Sequence, residues 1–263
     1  MKLVLPIAGK GSRFLKEADR NPEYLKPKPL ISVRGVPMVR WATGSLPFVY
    51  HSDTFSAQRP LITSRDIIFL AFQGHEDDYR ISSILRAIYG NDIHVIFVPE
   101  ELRCGAAATT LAARELINTD EPIIVSDSDH FFDGSVIETA FQAYSDVDGI
   151  IPLFHVPDKN PKWSFSRVNE EGYIVETAEK NPISEWANIG AYYFGRGKDF
   201  VRVATEAMER KDIVNGEYYI APLYNKLIQQ GKMIRPVFPK YVYGLGTPAD
   251  LSYFLEHTTY TLN

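Results

Sequence analysis

The sequence has one cysteine, Cys104, among 263 residues. That excludes an internal disulfide framework and any cysteine-rich zinc site, and it fits a reducing compartment. It also has no excess of positive charge, since 28 Lys and Arg face 33 Asp and Glu for a net charge of −5. A general nucleic-acid binder needs a basic surface to neutralise backbone phosphates, so any anion site here must be local. Long hydrophobic runs are missing as well. The first, Leu3 to Ala8, is far shorter than the ~20 apolar residues of a membrane span and too short for a signal-peptide core. The six histidines are scattered without metal-ligand spacing, and no serine stands in a Gly-x-Ser-x-Gly elbow. No internal repeat, low-complexity tract or linker splits the chain. These absences predict a soluble cytoplasmic protein without nucleic-acid or membrane partners, and leave room for a homo-oligomer.

An apolar content of 45% suits one sizeable globular core. Residues 2–8, 66–72, 93–98 and 122–126 are short, nearly continuous apolar runs of the kind buried on both faces of a parallel sheet. Between them, residues 36–46, 77–89 and 106–117 read as helices, opened by Pro37 in the first case and Gly105 in the last. A Ser135-x-x-Glu138 capping box starts a helix to residue 144. Residues 47–65 are polar and irregular. After Gly149 the rhythm changes to strands at 149–154, 164–168, 173–177 and 187–194 joined by hairpin-like turns. Helices at 199–210 and 217–230, a strand at 234–239 and a terminal helix capped at 247–250 complete the chain. The pattern predicts an α/β fold with a mixed, mainly parallel sheet and a small antiparallel flap.

Chemistry concentrates at the ends of the predicted strands. Leu5-Pro6-Ile7-Ala8-Gly9-Lys10-Gly11-Ser12-Arg13-Phe14 is a buried strand emptying into a two-glycine turn with two cations, answered by Lys26-Pro27-Lys28-Pro29-Leu30. Gly9 and Gly11 free backbone N–H groups to converge on anionic oxygens, Arg13 offers a planar fork, and a lysine offers a mobile point charge. The turn lies in a long loop, residues 9–34, of the sort that is usually functional. It is neither a dinucleotide fingerprint nor a P-loop, having no third glycine and no Gly-Lys-Ser/Thr. Asp127-Ser128-Asp129 follows a buried strand at the edge where open α/β sheets bind ligands. Two carboxylates one residue apart can hold a hard cation such as Mg²⁺, completed by substrate phosphates, although a solvated turn uses the same residues.

Leu-x-x-Ala-Gly-x-Gly-x-Arg-Phe, followed by Pro-Lys-Pro-Leu-Ile-x-Val-x-Gly-x-Pro-Met from Pro27 to Met38, resembles the signature of the nucleotidyltransferases that make sugar nucleotides. The resemblance spans residues 3 to about 255 and includes phosphocholine cytidylyltransferase-like members, whose Asp-x-Asp-Asn pattern Asp127 resembles. It implies one domain over 1–263, a Rossmann-like three-layer fold of the glycosyltransferase-A type, with residues 1–148 holding the nucleotide and 149–263 the acceptor. It also implies NTP and a phosphorylated acceptor as substrates, Mg²⁺ as cofactor, and pyrophosphate as product, in the setting of surface-polysaccharide precursor synthesis. Ala8, Gly9, Lys10, Gly11, Ser12 and Arg13 would take the triphosphate, with Lys28 beside them. Gln73, Gly105 and Ala106 would meet the base, and Asp129, with Asp127, the metal. Glu179-Lys180 resembles the Glu-Lys-Pro element in which glutamate faces acceptor hydroxyls and lysine the acceptor phosphate. Asn188-x-Gly190-x-Tyr192-x-Phe194 resembles a strand whose asparagine contacts the acceptor. Trp163 and Tyr219 suit that pocket or, more ordinarily, the core, and His130 suits packing or hydrogen bonding.

One departure stands out. Many relatives carry a second metal-binding aspartate just before a Gly-Thr near the C-terminus, whereas this chain has Gly244 there. Either Asp127 compensates, the metal keeps an additional water, or part of the catalytic power is lost. The acceptor is expected to be a sugar 1-phosphate. A CTP-dependent enzyme acting on a small non-sugar phosphate is the near alternative, and an Asp-x-Asp glycosyltransferase or a non-catalytic nucleotide binder are alternatives of other classes.

Overall fold

A computed structural model describes residues 1–53, 60–144 and 147–262. In chain order the elements are β1 (Lys2–Pro6), α1 (Ser12–Leu15), β2 (Ser32–Val33), β3 (Val36–Pro37), α2 (Met38–Gly44), β4 (Ile67–Ala71), α3 (Gln73–Tyr79), α4 (Ile81–Tyr89) and β5 (His94–Phe97). There follow α5 (Ala106–Thr110), α6 (Arg114–Ile117), β6 (Ile123–Ser126), β7 (His130–Phe132), α7 (Ser135–Ala143), β8 (Gly149–His155), β9 (Ser164–Val168) and β10 (Ile174–Glu179). The chain closes with β11 (Trp186–Asn188), β12 (Ala191–Phe194), α8 (Gly197–Arg210), α9 (Tyr224–Gln229), β13 (Ile234–Val237), β14 (Val242–Gly244) and α10 (Pro248–His257).

A ten-stranded sheet runs β10-β9-β11-β8-β12-β6-β1-β4-β5, with β13 also paired to β8. The apolar runs at β5, β4, β1 and β6 pair in parallel, while β12, β11 and β10 run against the rest. The sheet is thus mixed and mainly of one direction, with antiparallel additions at one end. Period-2 alternation sends Leu3 and Leu5 to one face and Val4 to the other. Leu3 and Leu5 pack with Ile81 and Leu85 of α4 and Ile137 of α7. Val4 packs with Ala107, Ile117 and Phe200 of α5, α6 and α8. Helix, sheet and helix form three layers. A further cluster joins Phe14, Trp41, Phe131 and Phe254 beneath the loops at the sheet's edge.

Several local expectations are corrected. The helix expected from residue 36 starts at Met38, because Arg34 and Gly35, with φ of 51° and 81°, close a two-residue turn that pairs Val36–Pro37 with Ser32–Val33. The helix expected over 77–89 is two helices broken at left-handed Arg80. There the Glu76 carboxylate accepts from Ser82 N and Oγ, at 2.9 and 2.8 Å, and caps the second. The expected capping box is not formed. The helix is capped at Gly134 without a side-chain bond, and the Ser135 hydroxyl donates to Asp133 instead, at 2.5 Å. Residues 106–117 are a helix in three pieces, with a 3₁₀ turn at Leu111–Ala113. The strand expected over 187–194 is β11 and β12, with different partners. The helix expected from residue 217 begins only with a 3₁₀ turn at Ala221, since Tyr218 is tied by both backbone groups to Cys104 and Ala107. The short strand β14, paired with β7, was not foreseen. The terminal helix is as expected, with the Thr247 side chain accepting from Asp250 N and Pro248 in its first turn. Of the irregular stretch 47–65, residues 54–59 lie outside the described residues.

Candidate active site

At the carboxyl ends of β1 and β6 a cavity of about 750 Å³ opens, within the size of small-molecule sites. One wall is the turn after β1. Gly11, in the left-handed region at φ 62°, caps α1 and lies against Lys28, whose Cβ would be 3.8 Å from a Cβ at residue 11. A 3₁₀ turn over Lys28–Leu30 brings Lys28 Nζ to 2.8 Å from Asp129 Oδ2.

The floor is acidic. Asp127 follows β6, its N–H donating to Gly190 O at 2.6 Å. A Cβ at Gly190 would fall 1.9 Å from Asp127 Oδ2, and one at Gly246 would fall 2.5 Å from Asp129 Oδ2. Each carboxylate therefore occupies space that a missing side chain leaves. Burial, reinforced by Asp129, pushes the Asp127 carboxyl up to about 6. Burial also works against ionisation of Asp129, but Lys28, His130 and Arg13 outweigh it and hold that carboxyl below the usual range. For Lys28, burial pulls the ammonium down, and Asp129 with Asp127 more than reverses this.

Asp127, Asp129 and His130 present ligand atoms within 4.8 Å of one another. Two hard oxygen donors suit Mg²⁺. His130 Nδ1 is buried without a hydrogen-bond partner, 3.5 Å from Asp129 Oδ1, so one nitrogen of this group is uncommitted. Gly244 also lines the cavity. A Cβ there would meet Trp163 at 3.5 Å and the Asp250 carboxyl carbon at 3.6 Å, but that carboxylate is engaged by Lys162 at 3.0 Å and Thr247 at 2.7 Å. The second carboxylate beside Asp129 is Asp127.

Opposite the turn, Glu179 ends β10 and accepts from the Ser164 hydroxyl. Burial raises its carboxyl to about 6. Asn188 Oδ1 accepts from Ser166 at 2.7 Å, which leaves its buried Nδ2 without a partner. Gly105, at φ 116°, opens α5, and a Cβ there would strike Tyr218 O at 2.4 Å.

Ala8, Gly9, Lys10, Gly11, Ser12, Arg13, Lys28, Gly105, Ala106, Asp127, Asp129, Glu179, Lys180, Asn188 and Gly190 thus all line the cavity. Gln73 does not. It starts α3, and its side chain donates to Asp77 at 2.8 Å, on the exposed surface. Trp163 and Tyr219 line the cavity, Trp163 also packing against the small cluster of Val156, Phe165 and Ala187, and His130 lines it too, its ring 5.9 Å from that of Trp163. Arg103 was missed. Its guanidinium donates to Ala8 O at 3.2 Å and sits 3.6 Å over the Phe72 ring. A cation two residues before the Gly105 loop was the available signal.

No protein-family model matches the sequence, and no curated protein matches it. Among solved structures, the nucleoside-diphosphate-sugar pyrophosphorylase of Vibrio cholerae RC9 is similar at 26% identity, with 97% of this chain and 100% of that chain covered and a TM-score of 0.72. The chain is similar in sequence and fold to a nucleotidyltransferase. Two more distant structures share its fold. The inositol-1-phosphate CTP transferase of T. maritima is 14% identical over 99% of this chain and 98% of that one, with a TM-score of 0.70. A UDP-glucose pyrophosphorylase complexed with UDP-glucose is 18% identical over 97% and 96%, with a TM-score of 0.68. Among the described residues, no helix is long and apolar enough to cross a membrane.

Proposed function

We infer that the protein joins an NTP to a phosphorylated small-molecule acceptor, a sugar 1-phosphate, and releases pyrophosphate. The observation that carries this reading is that one cavity is lined by the Gly9–Arg13 turn, Lys28, the Asp127 and Asp129 pair, and Lys180. An oxygen of the acceptor phosphate attacks the α-phosphorus in line with the departing pyrophosphate. The new P–O bond forms as the bridging one breaks, and pyrophosphate leaves with the electron pair. A phosphate monoester is already anionic at neutral pH, so no general base is required, and catalysis reduces to positioning and charge stabilisation.

The turn from Ala8 to Arg13 holds the triphosphate, and Arg13 with Lys28 neutralises the leaving group. Gly105 and Ala106 bring backbone against the base. Lys180 takes the acceptor phosphate, while Glu179, Asn188 and Gly190 face the rest of the acceptor. Asp127 and Asp129 would hold Mg²⁺, which when bound supplies positive charge to the phosphate oxygens. The position of Asp127 supports its compensating for Gly244. The substrates share one domain, the nucleotide served by residues 1–148 and the acceptor by 149–263.

Pyrophosphate release from each of the four common NTPs, paired with glucose 1-phosphate, inositol 1-phosphate and phosphocholine, tests this. Release with the sugar phosphate supports the reading. Release confined to CTP with a non-sugar phosphate selects the alternative suggested by Asp127-Ser128-Asp129. NTP binding with no release for any acceptor, or sugar release from a nucleotide sugar, overturns both.

A further inference from the structure

Lys180 is held in an unusual way. Its backbone is left-handed, at φ 52°, a conformation uncommon for a residue with a side chain, and its N–H donates to Trp163 O at 3.0 Å. Its ammonium donates to the Tyr219 hydroxyl and lies 4.6 Å from the centroid of that ring. The same hydroxyl donates onward to the Glu217 carboxylate at 2.5 Å. Tyr219 thus has its lone pair on the lysine and its proton on the glutamate. Burial and Glu217 both raise the phenol well above its ordinary value, so it remains a neutral acceptor toward the ammonium.

What places Tyr219 is equally specific. A tight turn through Asn215 and Gly216, with φ of 49° and 83°, is closed by reciprocal bonds between Val214 and Glu217, both of 3.0 Å. Tyr218 N donates to Cys104 O at 2.8 Å, and Ala107 N donates to Tyr218 O at 3.0 Å. The approach is close enough that only glycine fits at residue 105. One short segment therefore has its backbone fastened to the Gly105 loop and its next side chain on Lys180.

We propose that Tyr219 is a positioning residue that sets the Lys180 ammonium for the acceptor phosphate, and that its carrier segment fixes this setting relative to the Gly105 loop across the cavity. The assignment rests on the nucleotidyltransferase reading of the site. Tyr219 touches no reacting atom. It holds one rotamer of a flexible four-carbon side chain, and lowers the ordering cost when the acceptor binds. Glu217 orients the hydroxyl so that its lone pair, not its proton, meets the ammonium.

The test uses the full chain and the NTP–acceptor pair that gives the fastest pyrophosphate release. Tyr219→Phe should raise the acceptor KM about tenfold, the value of one hydrogen bond to a charged group, with the NTP KM unchanged. In a Lys180→Ala background the same substitution should leave the acceptor KM unaltered. An equal rise in both KM values, or the same rise without Lys180, overturns the proposal. A second measurement needs no turnover. Acetylation of Lys180 by acetic anhydride, followed by peptide mass spectrometry, should be several-fold faster in Tyr219→Phe and in Glu217→Gln than in the wild type. An unchanged rate overturns the positioning role. Absence of pyrophosphate release from the wild type overturns the activity reading instead.

Discussion

Replacing Gly190 by alanine would set a methyl group 1.9 Å from Oδ2 of Asp127, where ordinary contact begins at 3.4 Å. Even a tight contact of 3.0 Å requires the two to separate by more than an ångström. Residue 190 has little freedom to retreat. Its carbonyl accepts from Asp127 N at 2.6 Å, Ile189 N donates to Pro152 O at 2.9 Å, and both Ile189 and Ala191 are fully packed. The Asp127 side chain is the part that moves. Overpacking of this kind costs about 1–3 kcal/mol, and a displacement of about 1 Å in a positioning group can cost about 100-fold in rate. Urea unfolding and pyrophosphate release of Gly190→Ala, alone and combined with Asp127→Gly, which also removes the Cβ that would lie 2.9 Å away, measure both effects. The stability loss should largely disappear once the carboxylate is gone, giving a coupling of about 1–2 kcal/mol. If Gly190→Ala cost the same in both backgrounds, within about 0.5 kcal/mol, the glycine would not be there to seat Asp127.

Arg13→Ala should lower turnover at saturating NTP by about 100-fold or more, the scale of losing one donor to developing charge, and normal turnover would discard its assignment to the leaving group. Glu179→Gln should stabilise the protein near neutral pH. The folded carboxyl is raised to about 6 from 4.5, so its favourable contribution is complete below 4.5 and lost as pH rises through 6. At pH 7 the ionised wild type is then penalised by about 1.5 pH units, or about 2 kcal/mol. Urea unfolding across pH 4 to 8 should show the gap between variant and wild type closing on acidification, and a pH-independent gap would refute the cause. Chelation by EDTA should abolish pyrophosphate release and Mg²⁺ restore it, with Asp127→Asn and Asp129→Asn each shifting the Mg²⁺ requirement upward. Activity that survived chelation would remove these carboxylates from that role.

The sheet was legible because β1, β4 and β6 are apolar on both faces and end in turn residues, a pattern that local chemistry alone dictates. That the Gly9 to Arg13 turn and Lys28 share one wall of a cavity was legible because they lie close in sequence. What escaped depends on distant chain. β14 exists as a strand because it pairs with His130–Phe132, more than a hundred residues earlier. Residues 217 to 220 were expected to open the helix that follows, but the Gly105 loop claims the Tyr218 backbone first. The cavity-facing placement of Trp163 and Tyr219 follows from the flap and that crossing, neither of which a periodicity reveals. Gln73 illustrates the converse error. The resemblance placed it at the base, yet the helix it opens turns its side chain toward Asp77.

The pairing of β12 with β6 places Ala191 opposite Ser126, and so puts Gly190 against Asp127. Alternation along a strand has a period of two, so a slip by one residue would bring Ile189 or Ala191 to that point, each with a side chain where the carboxylate now lies. The sheet therefore works as a ruler for the acidic floor, and its hydrogen-bond registration and the placing of a charge are one constraint. Substitutions deep in β6 or β12, far from any ligand, should be read first for whether they keep that alignment.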